Sequence, residues 1–257
     1  MTEIYQGHIN IVQTEFTTQA AIWSGSVPEG LRNLVTGLGL RKSDVVLDVA
    51  AGSCRVSRAM APLVQHVTAV ELTEAMLNAG REMARQEGLE NIAFKLGAAE
   101  ELAFDDNHFD VSITRYSFHH FVDPERVLAE MVRVTKPGGR VIVIDILSPE
   151  DAALAESYNH YERLRDPSHT RAPQLSELKR WYEKHNLKVL ECQVEDSTQD
   201  LEGWMRIPSL ADAVKDQIRL AVQQELEGGP ATGLQPIREQ ETIKFQVGVG
   251  RIIGKKL

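Results

Sequence analysis

From Asp44 to Leu147 the chain alternates short apolar runs with stretches of helical period. Val45 to Val49 is a β-branched run that ends in small residues, and Arg55 to Val64 reads as a helix. His66 to Glu71 is the next run. Thr73 then stands as N-cap to a helix with Met76, Ala79, Gly80, Met83 and Ala84 on one face. Asn91 to Leu96 and Phe109 to Thr114 predict a third and a fourth strand. Asp123-Pro124 reads as an N-cap followed by proline at the first helical position, and Pro137-Gly138-Gly139 breaks that helix. Arg140 to Leu147 is a fifth strand, too apolar to carry a solvent face. Continuous apolar strands separated by helices predict a parallel sheet covered on both sides.

Beyond Leu147 the rhythm loosens. Pro149 to Arg165 and Ser176 to His185 read as helices, and Leu187 to Val194 as a strand. Trp204 to Leu226 is mostly helical with a break near Pro208, and Thr242 to Ile253 is a last long strand. The expected fold class is α/β: a Rossmann-like, doubly wound, mostly parallel seven-stranded sheet with an antiparallel last strand and helical lid insertions. One domain over 1–257 is expected, with 1–40 as an N-terminal helical cover and 41–147 as the core. Segments 148–175 and 197–240 would be lid insertions, and 176–196 and 241–257 the closing helix and strands.

Composition narrows the function classes. The 257 residues are 42% hydrophobic and 25% charged, an ordinary globular balance. Net charge is −9, which argues against a protein that grips phosphate backbones, so no nucleic-acid partner is expected. No run approaches the ~18 apolar residues of a membrane span. MTEIYQGHIN lacks the look of a secretory signal, and two cysteines point to a reducing compartment, so a cytoplasmic location is expected. No spacing of His, Cys and carboxylates suggests a metal.

In an open α/β sheet ligands bind beyond the carboxyl ends of the strands. Small residues at 50–54 permit a tight turn at a helix N-terminus, where free N–H groups can meet an anionic group. Glu71 ends the second strand about 20 residues later, where an acid can accept ribose hydroxyls.

Asp48-x-Ala50-x-Gly52-x-Cys54, followed by Val70-Glu71-Leu72-Thr73, resembles the first two motifs of the class I S-adenosylmethionine-dependent methyltransferases. Gly97 to Phe104 is similar to their adenine-binding loop. Phe109-Asp110-Val111 with Arg115 to Phe121 is similar to their fourth motif, and Glu130 to Arg140 to the approach to their fifth strand. The resemblance spans roughly residues 40–147 in order, and the family includes quinone-precursor C-methyltransferases. It implies S-adenosyl-L-methionine as cofactor. Asp48 would organise its amino group, Ala50 and Gly52 would face the methionine part, and Glu71 would take the ribose hydroxyls. Leu72 would pack on the adenine, Ala99 and Glu100 would read its edge, and Arg115 would lie beside the methionine part. The chain departs from the pattern where Ala50 and Cys54 replace glycines and Ala98 replaces an acid.

Methyl transfer is an in-line displacement, for which the protein supplies alignment, a dry site and sometimes a base. Candidate bases are His119, His120 and His169; the first two are adjacent and are not expected to point into the site together. Tyr158 to Arg171 holds three arginines, two histidines and two tyrosines. As a lid, its Tyr158, Tyr161, Arg165 and Arg171 would meet a polar or anionic acceptor; as a solvated helix, Arg165 and Asp166 would tie down the loop before Pro167. Tyr116 and Trp204 complete the expected acceptor wall. The expected function is methylation of a small-molecule acceptor by a monomer or homodimer. The alternatives are a non-catalytic protein of the same fold and, more weakly, a nicotinamide-dependent oxidoreductase.

Overall fold

The computed structural model describes residues 3–257. Strands β1 (Val45–Val49), β2 (His66–Glu71), β3 (Ile92–Leu96), β4 (Phe109–Arg115) and β5 (Thr135–Ile146) are all parallel. β6 (Leu187–Asp200) and β8 (Thr242–Lys256) complete a sheet of order β3-β2-β1-β4-β5-β8-β6, in which β8 runs antiparallel to both neighbours. A three-residue β7 (Ile237–Glu239) pairs with β8 outside this path. The seven-stranded expectation thus holds for the main path, and β7 adds a short hairpin.

Nine α-helices are described: α1 (Glu3–Trp23), α2 (Glu29–Gly37), α3 (Arg55–Met60), α4 (Glu74–Gln86), α5 (Pro124–Val134), α6 (Ala152–Arg165), α7 (Leu175–Lys184), α8 (Leu201–Trp204) and α9 (Asp212–Leu226). Residues of α2, α3 and α4 pack with Val46, Val67 and Ile113 on one face of the sheet. Val127, Met131 and Val134 of α5 and Leu178 and Tyr182 of α7 pack with Leu47, Val49 and Val143 on the other. Both faces are therefore dry, which is why these strands read as unbroken apolar runs. No described helix is long and apolar enough to cross a membrane.

Several boundaries differ from the sequence pattern for physical reasons. α3 gives way to a 3-10 turn at Ala61–Leu63, because Pro62 cannot continue an α-helix. Thr73 is the N-cap of α4, yet its side chain makes no capping bond; its N–H is taken by Glu71 Oε1 at 2.9 Å. β5 starts at Thr135, so Pro137-Gly138-Gly139 lies inside a strand opening with a register shift. β6 runs on to Asp200, because the far half of β8 pairs with it residue by residue from Val194 to Asp200.

Register positions the site. Val49 lies beside Val70 on one side and Thr114 on the other, so the next residues of β1, β2 and β4 emerge level at one edge. Chain order reverses between β1 and β4, which opens a crevice there.

Candidate active site

A cavity of about 600 Å³ lies over that edge. Its floor is the turn after β1, where Ala50, Gly52 and Cys54 take φ of 54°, 54° and 56°. These are left-handed conformations that glycine adopts freely and other residues at a cost of about 1–2 kcal/mol. The turn thus keeps a glycine path with alanine and cysteine at two of its corners. Cys54 is fully buried, and burial pushes its thiol well above the ordinary range. A Cβ built on Gly80 of α4 would lie 2.7 Å from its Sγ. The helix has a glycine where the loop has lost one.

Glu71 ends β2 with its carboxylate 2.8 Å from the Gly52 N–H and 2.9 Å from that of Thr73, one on each oxygen. Burial raises its pKa although these bonds oppose the shift. Asp48 lies beneath the turn, 1% exposed and accepting a bond from Ser57 Oγ at 2.5 Å. Burial pushes it up to about 7 against that bond. Arg115, at the end of β4, stacks over the Tyr116 ring at 4.1 Å, and its Nε is buried without a hydrogen-bond partner.

The turn after β4 is organised by one acid. Asp145 of β5, wholly buried, accepts the N–H groups of Ser117 and Phe118 at 2.7 Å each. Its other oxygen lies 2.5 Å from His119 Nδ1. Burial opposes charge on His119, but the Asp145 carboxylate outweighs it and the pKa is raised. His120 is turned the other way: Nδ1 is 3.0 Å from the Ser168 carbonyl, and burial and His119 lower it to about 4. Both rings nevertheless line the cavity, their centroids 4.1 Å apart. Both belong to the 3-10 turn Phe118–His120.

A match to the family model described as "Methyltransferase domain" covers residues 47–143. The uncharacterized methyltransferase YcgJ of Bacillus subtilis is 35% identical over 178 residues, which is 69% of this chain and 70% of YcgJ. The crystal structure of YcgJ is similar over 88% of this chain and 97% of its own, with TM-score 0.80 and 30% identity. The ubiquinone/menaquinone biosynthesis C-methyltransferase UbiE of Psychromonas ingrahamii is 35% identical over 127 residues, 48% of this chain and 51% of UbiE. The chain belongs to the class I S-adenosylmethionine-dependent methyltransferases.

The residues present fit that cofactor. Glu71 ends β2 in the cavity wall, where its carboxylate can accept the hydroxyls of a ribose diol. Arg115, whose Nε is buried without a partner, lines the same cavity as Ala50 and Gly52. Seven of the eight expected cofactor residues line the cavity; Asp48 is the exception, held behind the turn by Ser57. Tyr5 of α1 hydrogen-bonds Glu100, the acid expected at the adenine edge.

The expected acceptor residues divide. Tyr116, Arg165 and Trp204 line the cavity, and Arg165 sits 4.9 Å over the Trp204 ring while bonding Glu162 at 3.1 Å. Tyr158 and Tyr161 do not line it; they pack into the core beneath α8 and α9. Arg171 does not either, because Glu177 takes its guanidinium at 2.7 and 2.9 Å. His169 is a correction as a base. It is 3% exposed, outside the cavity, with Nε2 bonded to Asn159 and its pKa driven far down by burial.

Two contributors escaped the sequence reading at residue level. One is the face of α1 bearing Tyr5, Ile9, Val12, Phe16, Gln19 and Trp23, which closes the cavity from above. Its alternating spacing of four and three is a helical stripe that the sequence shows. The other is Asp145, whose signal was a lone acid inside an otherwise apolar strand.

Proposed function

We propose that this methyltransferase transfers the methyl group of S-adenosylmethionine to a small-molecule acceptor carrying a polar or anionic group. The observation that carries this reading is one continuous cavity that runs from the Glu71 and Gly52 wall to His119, Arg165 and Trp204. The cofactor supplies an electrophilic methyl on a sulfonium. The chain holds its ribose with Glu71, faces its methionine part with the 50–52 turn and Arg115, and leaves the other end of the cavity to the acceptor. Residues of α1 and of the segment from Gly203 to Pro208 line the cavity as well, and with ligands bound they would exclude water, which strengthens the electrostatic contacts inside.

The division of the chain follows from this. Residues 41–147 form the cofactor half, while α1, 148–175 and the segment after β6 form covers that select the acceptor. Of the three histidines considered as bases, His119 and His120 remain. Support for a quinone-precursor acceptor is the likeness to UbiE, which extends over half of that protein.

Calorimetry with S-adenosylmethionine and S-adenosylhomocysteine tests the reading. One-site binding of both, markedly weakened by Glu71→Ala and nearly unchanged by Arg171→Ala, is the expected result. No binding at millimolar cofactor would favour a non-catalytic protein of this fold.

A further inference from the structure

The two ends of α1 are held in different ways. At the C-terminal end three successive carbonyls, those of Trp23, Ser24 and Gly25, each accept a side-chain bond. The donors are Ser53 Oγ at 2.6 Å, Arg55 Nη2 at 3.3 Å and Arg58 Nη2 at 2.7 Å. Two of them bring positive charge to the end of a helix, where orphan carbonyls gather. The Arg58 guanidinium is wholly buried and forks onto Glu87, just past α4, at 3.0 and 2.6 Å. Gln19 and Ala20 are buried at this end, and Gly25 makes the bend after it with φ of 137°.

The N-terminal end has lighter ties. Among the described residues from 5 to 18, none is buried. Tyr5 hydrogen-bonds Glu100, and burial together with that carboxylate raises its pKa, so the hydroxyl keeps its proton and donates it. His8 donates to the His120 carbonyl at 2.8 Å. The loop that receives Tyr5 is itself anchored, because Arg126 Nε of α5 donates to the Glu100 carbonyl at 3.0 Å. α1 therefore lies along the cavity, from Glu100 at the expected adenine edge to Ser53 and Arg55 beside the turn after β1.

We propose that α1 is a strap that swings about Ser24 and Gly25 from its N-terminal end, with the Tyr5–Glu100 bond as its latch, and that cofactor and product exchange beneath that free end. The proposal rests on the methyltransferase reading of the cavity and adds the route and the control of exchange. A segment opens first where few apolar contacts and few shielded hydrogen bonds hold it. Releasing Tyr5 and His8 frees the first turns of the helix. Releasing the other end would strip three carbonyls and uncover the buried Arg58–Glu87 pair, which costs far more. The adenine end thus opens while the turn after β1 keeps its shape. A latch that closes over the empty and the filled cavity alike governs both rates of exchange and leaves affinity nearly unchanged.

Tyr5→Phe keeps the ring and removes the latch hydroxyl. Stopped-flow binding of S-adenosylhomocysteine can be read by the fluorescence of Trp23 and Trp204 in the cavity wall. Association and dissociation should each become about 3–10-fold faster, with their ratio held within about twofold. Faster dissociation alone would make Tyr5 a ligand contact, and unchanged rates would leave no latch; either result overturns the assignment. Amide hydrogen exchange of the ligand-free wild-type protein tests the pivot separately. Residues 8–13 should exchange faster than residues 17–22, and Tyr5→Phe should widen that difference. Uniform or reversed exchange along α1 would overturn the pivot even if the variant fails to fold. Failure of S-adenosylhomocysteine to bind, read beforehand by calorimetry, would instead overturn the methyltransferase reading.

Discussion

Cys54 and Gly80 are coupled by space. Cys54 occupies a left-handed corner where glycine would relax the backbone, and its Sγ fills the volume that a Cβ at position 80 would need. Gly80→Ala should therefore cost about 1–3 kcal/mol through overpacking. Cys54→Gly relieves the strained φ but empties the space, so its net effect should be small. The double variant should be more stable than the sum of the single changes predicts, because the alanine methyl then occupies the vacated volume. Denaturant titration of all four proteins measures that difference, and strict additivity would refute the packing argument. The sequence showed the two missing glycines, but not that a helical glycine 26 positions later replaces one of them in function. That relation is a contact between elements, and periodicity carries no information about it.

Asp48 makes a second prediction at this scale. Its folded pKa of about 7 lies above the ordinary carboxylate value, mainly through burial, so the folded chain holds this proton more tightly than the unfolded one. The stabilisation is complete below the unfolded pKa and is lost as pH rises through about 7. At about 1.4 kcal/mol per pK unit the swing is a few kcal/mol. The ligand-free protein should therefore lose stability across that window, and Asp48→Asn, which removes the titrating group, should flatten the profile. An unchanged slope in Asp48→Asn, followed by thermal melting against pH, would assign the dependence to other groups.

At the scale of elements, the strands were the most legible part. Continuous β-branched runs have one stable outcome when helices separate them, and β1, β2 and β4 emerge where the pattern puts them. The covers were less legible because their partners are distant in sequence. His8 Nε2 donates to the His120 carbonyl at 2.8 Å, and Gln13 donates to the Leu72 carbonyl at 3.2 Å, across 112 and 59 residues. Ser53 Oγ donates to the Trp23 carbonyl at 2.6 Å, joining the far end of α1 to the cofactor turn. These few polar ties and one apolar stripe hold α1 over the cavity. The helix should consequently open more readily than the sheet when the cavity is empty. Amide hydrogen exchange should show α1 weakly protected in the free protein and strongly protected with S-adenosylhomocysteine. Phe16→Ala, which removes a ring 5.1 Å from that of His120, should lessen the gain. Protection of α1 that is indifferent to ligand would remove it from the role of cover.

At the scale of the whole molecule, the lid is tied to the sheet by the strands themselves. β6 and β8 are 14 and 15 residues long. Phe245 and Val247 of β8 pack with Trp204, Ile218 and Val222 beneath the insertion, while Ile252 and Ile253 of the same strand pack on the two faces of the sheet. A strand shared by three cores should transmit melting of one to the others. Ligand held between sheet and covers should then stabilise everything at once. At a concentration one hundred times its Kd, S-adenosylhomocysteine contributes about 2.7 kcal/mol. For a chain of this size each kcal/mol moves the midpoint by about 2–4 °C, so a single transition should shift upward by roughly 5–10 °C. Glu71→Ala should melt in the same single step and show no shift at that concentration, because the ribose diol has lost its acceptor. Two transitions of which only one responds to ligand would mean that the insertions around α8 and α9 melt apart from the sheet.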